Sequence, residues 1–322
     1  MKVKICGSRG SIPSPLRPNQ IKENIENHLK KFEKKITADK SFTASQYLDK
    51  FTLPQIGGFG GDTTCVEIVN KIDDRLIIDG GSGLRSLGFE LLKGPLGKGQ
   101  GECHIYLTHF HWDHLMGIPF FIPLYIPGNK VYFYAVQSEL EGVIRHIFEK
   151  PYFPVPFEAL GAEVTFTNLP PREPFSLGEL EITPYQLDHP DPCWGARISS
   201  DQKVYAHCVD NEAIRVSRDK LGDDLPLYQG VDLMYFDAQY SFSEHMEKVD
   251  WGHASSSIGL DLAFREKIKH IIFTHHDPAA SDQAISRMVR QTNDYHKMLV
   301  ESLGPENIPV FEYAYDGMEI EL

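Results

Sequence analysis

The chain has 322 residues and carries 32 Lys and Arg against 45 Asp and Glu, a formal net charge of −13 at pH 7. Its 41% hydrophobic and 24% charged content is ordinary for a soluble globular protein, and no apolar run approaches the ~20 residues that span a bilayer. The acidic balance argues against gripping long nucleic acid by its phosphates, and five scattered cysteines without a Cys-x-x-Cys pair fit neither a disulfide framework nor a thiolate zinc site, which points to a reducing cytoplasm.

The opening MKVKICGSRG has no apolar stretch before a small-residue cleavage site, so no signal peptide is expected. Short strand-like runs at 3–6, 65–69 and 76–79 are bounded by glycine or polar turns. Residues 15–56 separate the first two and form a helical insertion. Ile21, Ile25, Leu29 and Phe32 recur there at helical spacing opposite a charged face. This helix is expected to pack on the body of the protein, with a partner contact or a lid as the alternative. A strand at 104–107 precedes the segment 118–157, which holds Phe120, Phe121, Tyr125, Tyr132, Phe133, Tyr134, Phe148, Tyr152, Phe153 and Phe157. That density far exceeds the 11% aromatic content of the chain. Some of these rings belong to a core; others are candidates for a subunit interface or for the wall of a pocket that holds a flat ring.

Further strands are expected at 131–134, 163–167, 180–187, 204–209, 233–236 and 270–273. Helices are expected at 254–267 and 281–303. Ser281 caps the latter, which places Ile285, Met288, Val289, Met298 and Leu299 on one face. The closing FEYAYDGMEIEL predicts a hairpin turning at Asp316-Gly317. Strands in both halves with helices between them predict a single α/β sandwich domain over 1–322.

The densest chemistry is Thr108-His109-Phe110-His111-Trp112-Asp113-His114, directly after a strand. Neutral imidazole and carboxylate suit zinc and similar divalent ions. His109 and His111 are two apart, so an extended segment aims both to one side, whereas the adjacent Asp113 and His114 diverge. The pattern suits two metals side by side. Two metal shells need more ligands, and three other strand ends present them: His189 after LEITPYQL, Asp210 after VYAHCV, and His275 and His276 after HIIF.

With these residues in place, the sequence resembles the metallo-β-lactamase superfamily. CGSRGSIPSP, GGDTTCVEI, LIIDGGSGLRSLG, THFHWDHLMGIPFF, YFPVPF, DAQY, WGHASSSIGLDLA and FTHHDPAASD follow in the expected order over nearly the whole chain. They are similar to the branch that contains ribonuclease Z, the phosphoribosyl cyclic phosphate phosphodiesterase and bacterial cyclic-nucleotide phosphodiesterases. The resemblance implies an αββα sandwich of two central mixed sheets flanked by helices. It implies His109, His111 and His189 on one metal, Asp113, His114 and His275 on the other, and Asp210 bridging. Asp79 resembles the aspartate that supports the ligand loop. His253 resembles the histidine that contacts phosphate and protonates the leaving group. His276, beside the implied ligand, is expected to support the site or face the substrate. Asp62 stands where the family usually has Asn, and the basic arm by which ribonuclease Z holds transfer RNA has no counterpart here.

The resemblance implies metal-dependent hydrolysis: a water activated between two divalent ions, zinc first with manganese or iron as alternatives, Asp113 to orient the water and His253 to protonate the departing oxygen. A small anionic phosphodiester, first of all a 3′,5′-cyclic nucleotide, is the expected substrate, its base stacked on aromatics of 118–157 or on Trp194. The alternatives are a ribonuclease Z-like RNA endonuclease and a thioester or lactone hydrolase. The resemblance further suggests a homodimer.

Overall fold

Along single strands, buried side chains alternate between two cores, and this alternation determines the layering. In Leu233–Asp237, Leu233 and Tyr235 join one cluster while Met234 and Phe236 join another. In His270–Thr274, Ile272 goes with Leu233, and Ile271 and Phe273 go to the opposite side. Successive strand residues point to opposite faces, so strands apolar at every position need cover on both.

The computed structural model, which describes residues 1–304 and 306–322, meets that need with two seven-stranded sheets packed face to face. The strands in chain order are β1 (Lys2–Gly7), β2 (Cys65–Val69), β3 (Arg75–Ile78), β4 (Glu102–Tyr106), β5 (Lys130–Ala135), β6 (Glu163–Asn168), β7 (Phe175–Leu177), β8 (Leu180–Gln186), β9 (Trp194–Ser200), β10 (Lys203–Cys208), β11 (Leu233–Asp237), β12 (His270–Thr274), β13 (Val310–Tyr313) and β14 (Glu319–Glu321). One sheet has the order β14-β1-β2-β3-β4-β5-β6, the other β13-β12-β11-β10-β9-β8-β7. The helices are α1 (Pro18–Ala38), α2 (Ala44–Leu48), α3 (Leu53–Gly57), α4 (Gly83–Leu91), α5 (Leu140–Ile147), α6 (Arg218–Leu221), α7 (Phe242–Glu247), α8 (Ser256–Glu266) and α9 (Asp282–Leu303). The inner core, with Val3, Ile5, Tyr106, Ile198, Tyr235 and Ile272, lies between the sheets. Helices α4 and α5 cover the outer face of the first sheet, and α8 and α9 that of the second. This is the αββα sandwich expected from the sequence. Strands β3 to β6 run parallel to one another, as do β10 to β13, so their C-terminal ends gather at a common edge of each sheet.

Several expectations need correction. The closing segment is not a hairpin: β13 pairs in parallel with β12, whereas β14 pairs antiparallel with β1 in the other sheet. Asp316 makes this crossover possible. Its carboxylate accepts the N–H groups of Ser8, Gly61 and Asp62 at 3.0, 2.8 and 2.9 Å, tying the crossing chain to both neighbouring loops. Strands β7 and β9 escaped the sequence pattern; β9 starts at Trp194 and carries serine and arginine among its apolar residues. On α9, Ile285 is buried and Met288, Val289 and Leu299 pack on the core, but Met298 is exposed.

Helix α1 forms as its spacing predicts, yet none of its residues is buried. Ile21, Ile25 and Leu29 face solvent, and the Phe32 ring packs on Phe42 and Tyr47 of the neighbouring insertion. Periodicity declares an apolar face but not what covers it. The aromatic segment 118–157 is mainly core: Phe121, Phe133, Tyr134 and Phe148 are buried, and only Phe120 and Tyr152 are exposed. All five cysteines are free and buried. Among the described residues, no helix is long and apolar enough to cross a membrane.

Candidate metal centre

The His and Asp residues singled out in the sequence converge at the C-terminal strand edge. Asp79 follows β3, the His109–His114 run follows β4, His189 follows β8, Asp210 follows β10 and His275 follows β12. Three of them, Asp79, Asp210 and His275, adopt left-handed backbone with φ of +63°, +58° and +62°. Such a conformation costs a side-chain-bearing residue about 1 kcal/mol or more and persists where surrounding structure enforces it, often at functional sites.

Three overlapping groups of donors result; one, of Asp210, Asp237, His253 and His275, lies at the rim, and the other two form the centre. Ligand atoms of His109, His111, His189 and Asp210 lie within 4.8 Å of one another, as do those of Asp113, His114, Asp210 and His275. Asp210 belongs to both, so the arrangement is suited to a dinuclear metal site with that carboxylate between the ions. The rings are oriented from behind. His114 Nδ1 donates to Asp79 Oδ2 at 2.8 Å, and Asp79 also accepts the Thr108 N–H at 2.9 Å. His109 Nδ1 lies 3.1 Å from the Thr108 hydroxyl, and His189 Nδ1 lies 3.1 Å from the Asp191 carbonyl oxygen and 3.3 Å from the Asp191 backbone nitrogen. Each of these leaves Nε2 for the centre. His111 is reversed: its Nε2 donates to Asp191 Oδ2 at 2.7 Å, leaving Nδ1. A partner on the distal nitrogen is what sets tautomer and orientation in metal-bound histidines.

The residues fit such ions on a test that involves no resemblance. His109 Nε2, His114 Nε2 and Asp210 Oδ1 are buried polar atoms without a hydrogen bond of acceptable geometry. Yet Asp210 Oδ2 lies 3.0 Å from His109 Nε2 and 2.8 Å from His114 Nε2, and Asp210 Oδ1 lies 3.0 Å from His275 Nε2. Each unpaired buried group costs about 1–3 kcal/mol, a cost removed when converging lone pairs share a cation. Electrostatics agree. Burial pushes the His109 imidazole down to about 4, towards the neutral form that ligates. Burial acts the same way on His275, but the Asp210 and Asp113 carboxylates outweigh it and raise that group to about 10. The buried carboxylates demand positive charge, which divalent ions satisfy while the rings stay neutral.

His253 stands at the rim, 12% exposed, with its ring centroid 4.9 Å from that of His275. Its Nδ1 donates to Asp237 Oδ2 at 2.9 Å. Asp237 receives no role from the sequence alone; its position at the end of a strand, like that of Asp79 and Asp210, is the signal that marks it. Asp191 has no sequence signal at all, since only the fold brings it to His111. Two expected substrate contacts fail. His276 is 2% exposed, donates from Nε2 to the Ala314 carbonyl at 2.8 Å and stacks on Tyr313, so it is part of the interior and does not face a substrate. Trp194 is buried with Arg172 over its ring and presents no free face for a base.

Comparison with known proteins places these residues in a wider set. Residues 74–276 match the family described as Beta-lactamase superfamily domain. Ribonuclease BN of Escherichia coli O7:K1 (strain IAI39 / ExPEC) is 21% identical over 240 residues, covering 58% of this chain and 74% of the relative. The metallo-beta-lactamase fold protein YhfI from Bacillus subtilis superposes over 100% of this chain and 98% of its own, with a TM-score of 0.62 at 15% identity. A diphosphatase from the PhnP family covers 100% and 97%, with a TM-score of 0.59 at 18% identity.

Proposed function

The chain belongs to the beta-lactamase superfamily and is a metal-dependent hydrolase; from that premise we propose that it hydrolyses a small cyclic phosphodiester, a 3′,5′-cyclic nucleotide before others. The observation that carries the choice is the His253–Asp237 pair beside the two donor groups. An alkoxide leaves phosphorus poorly unless it is protonated, and a positioned acid contributes about 10²–10⁴-fold.

In this proposal His109, His111 and His189 would hold one ion, Asp113, His114 and His275 the other, and Asp210 would serve both. Divalent ions, zinc first and manganese or iron as alternatives, would supply Lewis acidity and a water acidic enough to ionise near neutral pH. Asp113 is placed to orient that water: its Oδ2 accepts the Ser11 N–H at 2.8 Å, which holds the carboxylate in the centre. Asp237 fixes the His253 ring so that Nε2 is directed to the leaving oxygen. The net charge of −13 supports a small substrate, since a cyclic nucleotide carries a single charge and needs no basic surface. The basic residues of 22–40 are interleaved with Glu23, Glu26, Glu33 and Asp39, which nearly cancels their field. A cytoplasmic location and a homodimer belong to the same proposal. The exposed rings of Phe120 and Tyr152 and the uncovered face of α1 are surfaces available for pairing.

One finding favours a second reading: the similarity to a protein named Ribonuclease BN supports an RNA endonuclease. Comparing kcat/KM for cyclic AMP, cyclic GMP and a precursor transfer RNA at two salt concentrations separates the two. Efficient, salt-sensitive RNA cleavage with negligible cyclic-nucleotide turnover would replace the first reading by the second.

A further inference from the structure

The turn that joins α7 to α8 is held unlike an ordinary surface loop. Glu212 is 3% exposed and spends both carboxylate oxygens on that turn: one accepts the Asp250 N–H at 2.8 Å, the other the Gly252 N–H at 3.1 Å. Its own N–H donates to the Asp188 carbonyl at 2.7 Å, which ties the turn to the loop that carries His189. Gly252, at φ +84°, presses against that histidine so closely that a Cβ would lie 2.4 Å from His189 Cδ2. Between the two anchored amides stands Trp251, 62% exposed. The Lys248 ammonium lies 5.7 Å from its ring centroid and 4.0 Å from that of Tyr240, whose ring in turn packs on His253.

An indole left in solvent buries little and gains the fold little. Here its backbone is fixed on both sides by a buried charge, next to a glycine in contact with a donor of the metal centre and two residues from His253. An aromatic side chain whose backbone is anchored beside a reaction site is a stacking platform, with less ordering left to do when a ligand arrives. We propose that Trp251 is the specificity-determining residue of this site, stacking on an aromatic ring, such as a nucleobase, of the phosphodiester substrate, and that Glu212 is the positioning residue that presents it. The inference rests on the phosphodiesterase reading and supplies the stacking surface that Trp194 and most rings of 118–157 do not offer.

The test uses the full-length, metal-loaded chain and two substrates, a purine 3′,5′-cyclic nucleotide and a cyclic ribose phosphodiester that lacks a base. Trp251→Ala should lower kcat/KM for the base-bearing substrate roughly tenfold more than for the base-free one, the scale of one base–aromatic stack, with the difference in KM. Trp251→Phe should restore most of the loss, and Glu212→Gln should raise KM with the same selectivity. Equal losses on both substrates, or none, would overturn the inference and leave the phosphodiesterase reading standing. If the wild type turns over neither substrate, that reading fails instead. Tryptophan fluorescence of the metal-free protein, titrated with a nucleoside 5′-monophosphate, then decides: quenching in the wild type that Trp251→Phe abolishes upholds the platform, and identical titrations refute it.

Discussion

Replacing Asp237 by Asn changes one oxygen to an amide nitrogen and tests the role of His253 directly. The carboxylate is surrounded only by donors. Oδ1 accepts the N–H groups of Gln239 and Ala254 at 3.1 and 3.2 Å, and Oδ2 accepts His253 Nδ1 at 2.9 Å and the Asp210 N–H at 3.2 Å. An amide can satisfy one pair. If its oxygen keeps Gln239 and Ala254, its NH₂ confronts Asp210 and His253. The imidazole escapes by moving its proton to Nε2, but the Asp210 amide has no such recourse. One unpaired buried donor costs about 1–3 kcal/mol, which predicts a melting temperature lower by a few degrees. The catalytic consequence is larger. A His without its orienting carboxylate loses the proper tautomer, and kcat on a cyclic nucleotide should fall about 10²-fold or more. An activated aryl phosphodiester such as bis(p-nitrophenyl) phosphate, whose leaving group needs little protonation, should lose far less. Metal content by elemental analysis accompanies both assays. Equal losses on both substrates with two metals retained would refute His253 as the acid. Loss of metal would show that Asp237 acts instead through Asp210 and through His275, whose Nδ1 lies 3.4 Å from Asp237 Oδ2.

Three further outcomes follow from the same geometry. His109→Ala and Asp210→Ala should take bound metal from two equivalents per chain towards one or none and abolish turnover; full metal content in either variant contradicts the donor groups described. Gly252→Ala sets a methyl group 2.4 Å from His189 Cδ2 at a backbone φ of +84°, and should cost ~1–3 kcal/mol in urea unfolding and weaken metal retention; unchanged values for both would mean that the turn moves freely. The Asp224 carboxylate is buried, which raises its affinity for a proton, but Arg172 and Arg215 outweigh this and hold it below the usual carboxylate range. A depressed folded value stabilises the protein above the unfolded carboxyl value of about 3.9, and that stabilisation disappears as pH falls through the folded value. Asp224→Asn should therefore be destabilised by ~2 kcal/mol at neutral pH and converge with the wild type in acid; a gap that persists at low pH would exclude this ion pair as its source.

The chain's own order of residues determined the donor set and its placement at strand ends. Strand alternation and the step from an apolar run into His or Asp are local patterns, so His109, His111, Asp113, His114, His189 and Asp210 were legible without coordinates, whereas the choice of His275 over His276 came only with the family resemblance. What lies behind those donors was not. Asp237 on His253 and Asp191 on His111 depend on loops that meet only when the two sheets close. The two adjacent histidines after β12 separate for a conformational reason: left-handed backbone turns His275 over the sheet edge towards Asp113, 162 residues away, while His276 falls inward onto Tyr313. The end of the chain shows the same limit. Asp316-Gly317 has hairpin chemistry, but an open edge strand on each sheet and the nest of N–H groups from Ser8, Gly61 and Asp62 divide its flanks between sheets. Nor could the spacing of apolar residues distinguish the uncovered face of α1 from the packed face of α9. Periodicity records which side chains share a face; only the rest of the chain, folded, decides whether anything lies against it.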